Sequence, residues 1–426
     1  MALLTLTLFI AGLIFCLSAG LPLIAALLFG YALFFLYGRR YGLSVRELLQ
    51  LTKDGILSVR TVLIVFVLIG MLTASWRASG TIPYIVSLAG VVIRPEIFPL
   101  AAFLLNAGLS LLIGTSFGTV ATMGVICMSM GNVMGISPVI TGGAVLSGIY
   151  VGDRCSPLST SALVVASITK TEFYDNLRIM AKTAVLPFCL TAFIYGVLGF
   201  FTGASGAPAD TASLFRNSYT LTPILLLPAA AVIIMPLLRI DVRLTMETSL
   251  ILALLLCIII QHMDPLTLLP MLLTGYESPD PAIARMMNGG GITSMILPGF
   301  TVAISCSYAE ILQKTDLLEQ VRAAVARLAA IASRRLSLIT VASCTAMVTC
   351  NQTLSSILTQ QLCHEIIPDN RQMMIGIENT TIVIAALIPW SIACSVPLAT
   401  IEAPSTAILC ACYLYLQPLL GWKLKK

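Results

Sequence analysis

The stretch Gly114–Lys170, GTSFGTVATMGVICMSMGNVMGISPVITGGAVLSGIYVGDRCSPLSTSALVVASITK, decides the fold class. It is apolar enough for a bilayer, yet crowded with Gly, Ser and Thr and broken by Pro138 and Pro157. It also carries Asp153 beside Arg154. Hydrocarbon offers no water to a peptide group. Irregular polar backbone is therefore tolerated at membrane depth only when it is wrapped in protein or lines a cavity. An apolar segment that interrupts its own helices predicts a solute pathway.

The composition around this stretch agrees. Hydrophobic residues make up 58% of the chain and charged residues 10%, with a mean hydropathy of +0.98; a soluble domain carries ~25% charged residues. The 426 residues, at ~20 per crossing plus loops, leave room for about ten to twelve transmembrane helices. The expected class is an all-α polytopic membrane protein. Met1–Gly20 lacks the charged start of a signal peptide and reads as a retained first helix. The net charge of +5 resides in loops where the positive-inside rule places it, so no nucleic-acid partner is expected.

The 12 cysteines form no CxxC pair. Cys16, Cys127, Cys189, Cys257 and Cys306 lie in apolar runs and read as small buried hydrophobes. Cys410 and Cys412 do not have a zinc spacing, and His262 and His364 stand far apart, so no cofactor is expected. An HExxH or Walker motif, which a membrane enzyme would suggest, is missing. A filter-like repeat, which a channel would suggest, is missing too.

Along the chain, Leu3–Ser18 and Leu21–Tyr37 read as a helical hairpin. Arg39, Arg40, Arg46, Lys53 and Arg60 follow against only Glu47 and Asp54, which marks a cytoplasmic loop. A third span covers Thr61–Ala78. Gly80–Glu96, nearly uncharged, fits the opposite side with a short embedded piece. Further spans are expected at Thr183–Thr202, Leu221–Leu238 and Leu244–Gln261. The polar stretch Gly203–Asn217 reads as a linker, and Tyr276–Asn288 as an external loop.

The second half echoes the first. Ser75 aligns with Glu310 and Ser116 with Asn351, both at a separation of 235 positions, and Ser159–Ser161 aligns with Glu378–Thr380 at 219. The charge bias swaps sign between halves. The loop before the third span is basic, whereas its counterpart Tyr276–Asn288 is not. The loop after that span is nearly neutral, whereas Gln313–Arg335 carries Lys314, Arg322, Arg327, Arg334 and Arg335. Inverted-topology repeats require such a swap, and their interrupted helices place solute sites at the repeat interface. The expected organisation is an N-terminal hairpin and basic loop (1–60), a first repeat (61–202), a linker with connecting helices (203–288) and a second repeat (289–426).

Within apolar segments the ionisable residues are Arg77, Asp153, Arg154, Glu310, Glu378 and Glu402. A charge at the centre of a span costs ~2.5–3.5 kcal/mol on insertion scales, so each needs a reason. Glu310 and Lys314 have the i,i+4 spacing of a helical ion pair. Glu402 before Pro404 fits a helix cap, and Arg77 at the end of a span fits snorkelling. Asp153 and Glu378 are left as candidate ion or proton carriers, and burial favours the neutral form of such a carboxyl. Three neutral clusters could supply oxygens to a desolvated ion or pack helices closely. They are Thr115, Ser116 and Thr119; Ser156, Ser159, Thr160 and Ser161; and Asn351 with Gln352. Asn379 and Thr380 extend the polar patch at Glu378.

At these motifs the chain resembles the NhaC-type sodium/proton antiporter family. The matching text is GTSFGT (Gly114–Thr119), SGIYVGDRCSPLS (Ser147–Ser159), Asn351-Gln352, and Glu378 followed by Leu387–Trp390. The likeness runs from about Ile69 to the C-terminus, and GDRCSPLS is its most specific part. It implies inverted repeats with broken or re-entrant helices, a homodimer in a bacterial-type cytoplasmic membrane, and exchange of sodium for protons. Some branches instead move organic acids. The chain departs from the family at three acids. Thr160-Ser161-Ala162 stands for Asp-Thr-Thr, Cys350-Asn351-Gln352 for Gly-Asp-Gln, and Glu378-Asn379 for Glu-Asp. Fewer carboxylates weaken the hold on a bare cation. The partners expected are therefore sodium ion and proton, with a small organic acid or amino acid as the alternative, and membrane lipid.

Overall fold

A computed structural model of the chain describes residues 2–19, 22–92, 94–201, 215–238, 240–315 and 333–421. Most of the Gly203–Asn217 linker, together with Arg322 and Arg327, lies outside the described residues. Among the described residues there is no strand, only one isolated antiparallel bridge between Tyr276 and Gly289. The protein is all-α.

The N-terminal hairpin forms as α1 (Ala2–Ser18) packed on α2 (Leu23–Tyr41), which Gly42 ends in the left-handed conformation. The basic segment that follows is not a plain loop. Ser44 and Glu47 make a reciprocal capping box, and α3 (Val45–Ser58) runs as an amphipathic helix with Leu48, Leu51 and Gly55 turned inward. This is the Ser-x-x-Glu signature that fixes a helix start. Then come α4 (Arg60–Ala78), the short α5 (Thr81–Val92) and α6 (Phe98–Ile113).

Beyond α6 the helices break repeatedly. α7 (Ser116–Thr119) continues through a π-turn at Val120–Gly124 into α8 (Val125–Val133). α9 (Pro138–Cys155) is buried without interruption from Thr141 to Arg154 and packs most extensively on α6. A Cβ on Gly152 would collide with the main chain of Ser110, so only glycine permits that approach. α10 (Thr160–Thr169) and α11 (Phe173–Phe201) complete the first half. α12 (Leu227–Leu237), α13 (Val242–Ile259), α14 (Pro265–Thr274) and α15 (Pro281–Met287) connect the halves. The second half holds α16 (Gly291–Ser294), α17 (Ile296–Ser307), α18 (Ala309–Lys314), α19 (Arg334–Thr349), α20 (Gln352–Cys363), α21 (Asn370–Asn379), α22 (Thr381–Ile384), α23 (Ile392–Thr400) and α24 (Cys412–Leu420).

Among the described residues, four helices are long and apolar enough to cross a membrane by themselves. A fifth crossing arises if Asn370–Leu387 and Ile392–Thr400, bent by 54°, count as one. Shorter apolar helices, among them Thr160–Thr169, Pro265–Thr274 and Ile296–Ser307, add to these. The exterior is apolar, with Phe193 at 67% and Phe201 at 79% exposure on α11. Such a surface suits lipid and would aggregate in water. Cys189, expected inside, is exposed on that same helix.

The internal correspondence has a different register from the one read off polar residues. α6 ends at Gly114 with φ 80°, followed by extended Thr115; α19 ends at Cys350 with φ 55°, followed by extended Asn351. Gly114 therefore matches Cys350 and Thr115 matches Asn351, at 236 positions. Later, α9 and the segment 370–387 have equal length, each followed by a four-residue break. Pro157 matches Pro389 and Ser159 matches Ser391, both at 232. Ser159 and Ser391 each cap the next helix. Glu378 is thus not the counterpart of Ser159. The alignment through hydroxyl-rich text followed side-chain polarity, whereas the backbone follows the Pro-x-Ser break.

Candidate functional site

The breaks converge on Asp153. Its carboxylate Oδ2 accepts hydrogen bonds from Gln352 Nε2 at 3.0 Å and from Ser161 Oγ at 3.3 Å. The main-chain N–H of Ser116 approaches the same group. Ser161 Oγ stands equally close to Gln352 Oε1, at 3.3 Å, so its one proton is shared between the two acceptors, and Gln352 donates to the carbonyl of Ile382 at 3.0 Å. Three half-helices thus present their first turns to one acid: α7–α8, α10 and α20. The positive ends of helix dipoles favour an anion there. Asp153 itself is 3% exposed.

The other polar residues build this convergence rather than line it. Thr115 accepts from Gly118 N, and Thr119 donates to the Thr115 carbonyl. Ser156 accepts from Leu158 N; Ser159 accepts from Ala162 N and donates to the Asp153 carbonyl. Asn351 spends its side-chain oxygen on Thr353 N and Leu354 N. Thr380 donates to the Gly376 carbonyl. Thr160, one residue before Ser161, is exposed.

A second polar centre lies beside the first. Glu378 is 1% exposed, and neither carboxylate oxygen has a hydrogen-bond partner among the described residues. Arg154, fully buried, does not bond either acid's carboxylate. It donates to the Glu378 main-chain oxygen at 2.7 Å, the Tyr413 hydroxyl at 2.9 Å and Asn379 Oδ1 at 2.5 Å. Asn379 also accepts from Gln417 and donates to the Gly421 carbonyl. It is a brace between α21 and the C-terminal helix. Tyr413 and Gln417 escaped the sequence reading, although a Gln inside the apolar run CYLYLQPLL was a signal. Thr381, the last member of the polar cluster at Glu378, has a buried hydroxyl without a partner among the described residues.

The remaining intramembrane charges have other tasks. Arg77 does not snorkel and Glu402 does not cap a helix. They pair at 3.0 Å, Arg77 also reaches the Asn288 carbonyl, and Glu402 accepts from Gly290 N. No ion pair joins Glu310 to Lys314 among the described residues. The string Gly114–Gly118 spells Gly-x-Ser-x-Gly, the motif of a hydrolase nucleophile elbow. Here it joins two helices, with no strand before it, so the elbow geometry is missing. No group of three or more His, Cys, Asp or Glu side chains suited to a metal occurs among the described residues.

Comparison with known sequences supplies the class. The profile of the Na+/H+ antiporter family matches residues 2–172 and 148–416. The chain belongs to this family. The antiporter is an integral membrane transporter and not an enzyme. It is 25% identical over 382 residues to the malate-2H(+)/Na(+)-lactate antiporter of Bacillus subtilis (strain 168), covering 87% of this chain and 82% of the relative. It is 26% identical over 304 residues to the Na(+)/H(+) antiporter NhaC of Alkalihalophilus pseudofirmus (strain ATCC BAA-2126 / JCM 17055 / OF4), covering 70% and 65%. A third relative, the arginine/ornithine antiporter ArcD of Halobacterium salinarum (strain ATCC 700922 / JCM 11081 / NRC-1), is 30% identical over 231 residues, covering 51% and 48%.

Proposed function

We propose that this antiporter exchanges sodium ions for protons by alternating access, with Glu378 as the carboxyl that holds one or the other. The observation that carries the reading is the Glu378 side chain, buried at 1% exposure with two unpartnered oxygens. A buried carboxylate without donors is costly when ionised, and a proton or a cation relieves that cost. Asp153, held by Gln352 and Ser161, is the companion anion, and Ser116, Ser161 and Gln352 are the neutral groups that contact it. Two oppositely oriented repeats, 61–202 and 289–426, are the frame for this cycle. The protein is read as a homodimer in the lipid of a bacterial-type cytoplasmic membrane.

Glu378→Gln keeps the shape and removes the exchangeable charge. In proteoliposomes it is expected to abolish pH-driven sodium flux. Full flux that still responds to pH would refute the mechanism.

A second reading, exchange of a small organic acid or amino acid, is favoured by the likeness to the malate/lactate and arginine/ornithine antiporters. Arg154 weighs against it as a substrate anchor, because its donors are committed to protein acceptors. Thermal stabilisation by sodium supports the first reading, and stabilisation by one member of an organic-acid panel supports the second.

A further inference from the structure

Among the described residues, the charged side chains that are buried are Arg77, Asp153, Arg154 and Glu378. Arg77 is paired with Glu402 at 3.0 Å, which leaves three charges in the core. Arg154 is a permanent cation, since a guanidinium does not lose its proton in proteins. All of its bonded acceptors are neutral: a main-chain oxygen, two hydroxyls and an amide. Its charge must therefore be balanced through space by the neighbouring acids. Asp153 is furnished with donors from Gln352 and Ser161 and faces helix N-termini. Those donors offset part of the cost of a buried carboxylate, and two acids therefore share one cation. Glu378 has no donor among the described residues, and the three core charges together leave one negative charge.

From this juxtaposition we infer that Arg154 sets the exchange at one proton for one sodium ion, with no net charge moved per cycle. The inference rests on the sodium/proton reading of Glu378. One monovalent load, either ion, makes the core neutral in both half-cycles. The unloaded core carries one uncompensated negative charge in a dry site, which is unfavourable. An empty carrier therefore does not reorient, and exchange becomes obligatory.

The test is a null-point measurement in proteoliposomes holding the full chain. A tenfold sodium gradient is expected to be balanced by about a tenfold proton gradient. Imposing a hundredfold potassium gradient with valinomycin should leave that balance unmoved, because a neutral cycle does not sense the potential. A null at roughly a threefold proton gradient, the mark of two protons per sodium, would overturn the inference, as would a null that moves with the potassium gradient. Arg154→Gln should make the null point sensitive to potassium, and an insensitive null in a variant that still exchanges would overturn the role given to Arg154. Should that variant not fold, proton release on sodium binding to the detergent-purified wild type decides. One proton per sodium is expected, and two refute it. Sodium that drives no flux and releases no proton from the wild type would sink the transport reading and this inference together. Flux with a voltage-dependent null sinks this inference alone.

Discussion

Replacing Glu402 by Gln tests the link between α4 and the turn after α23. Arg77 is 8% exposed, and the Glu402 side chain is 34% exposed. An exposed ion pair is worth ~0–1 kcal/mol, whereas removing one partner of a fully buried pair costs ~3–5 kcal/mol. This pair falls between the two. In the variant Arg77 keeps the Asn288 carbonyl at 3.1 Å, and the new amide oxygen can still accept from Gly290 N. We therefore expect a loss of ~2 kcal/mol for Glu402→Gln. The Arg77→Met and Glu402→Gln double-mutant cycle should give a coupling of ~1.5 kcal/mol. The assay is equilibrium unfolding by SDS in mixed micelles, followed by tryptophan fluorescence. Trp76 adjoins Arg77 in α4 and is anchored to Ser249 at 3.0 Å. A coupling below ~0.5 kcal/mol would place the pair with ordinary surface contacts and refute the reasoning.

Two further outcomes concern the scaffold. Gly152→Ala places a methyl on the Ser110 main chain, which α6 cannot yield without moving; a loss of ~3 kcal/mol in the same unfolding assay is expected. At α3 the Glu47 carboxyl is held below its ordinary value of 4.5 by hydrogen bonds from the Ser44 backbone N–H and hydroxyl. A lowered value means the cap contributes fully above that ordinary value and is lost as pH falls through the folded one. Amide exchange at the start of α3 should accelerate on acidification, and Ser44→Ala should flatten that dependence.

Parts of this architecture were open to reading from the chain. Gly114 inside GTSFGT announced the first break, because a helix end in the left-handed region favours glycine. Its partner was harder. Cys350 adopts φ 55° without being glycine, and nothing in its spelling shows that. The site was read in outline: Asp153, Ser161 and Gln352 do meet, although 191 positions separate Ser161 from Gln352. Thr160 shares the chemistry of Ser161 but faces outward, since neighbours on a helix point in different directions. The pairing of Arg77 with Glu402 spans 325 positions. Each residue had a local explanation, so nothing pointed to the other. The α3 capping box is spelled by Ser44 and Glu47, a helix start that the surrounding basic charges, a topology signal, do not by themselves reveal.

Asn379 is where the resemblance and the geometry bear on one another most closely. The family pattern places an acid after the glutamate, whereas this chain has an amide that accepts from Arg154 at 2.5 Å. An aspartate there would bond the guanidinium directly, with the strength of a charge-assisted contact. Arg154 would then be cancelled locally, and Glu378 would lose its balancing cation. Asn379→Asp is therefore expected to make the Glu378 proton harder for sodium to displace. Sodium-driven flux should fall at neutral pH and recover on alkalinisation. The loss of the Asn379 Nδ2 bond to Gly421, 2.8 Å in the native chain, should cost ~1–3 kcal/mol of stability at every pH, because the carbonyl is left without its donor. The two effects separate cleanly. A variant that is merely less stable loses flux equally at all pH values, and that result would show that Arg154 does not balance Glu378.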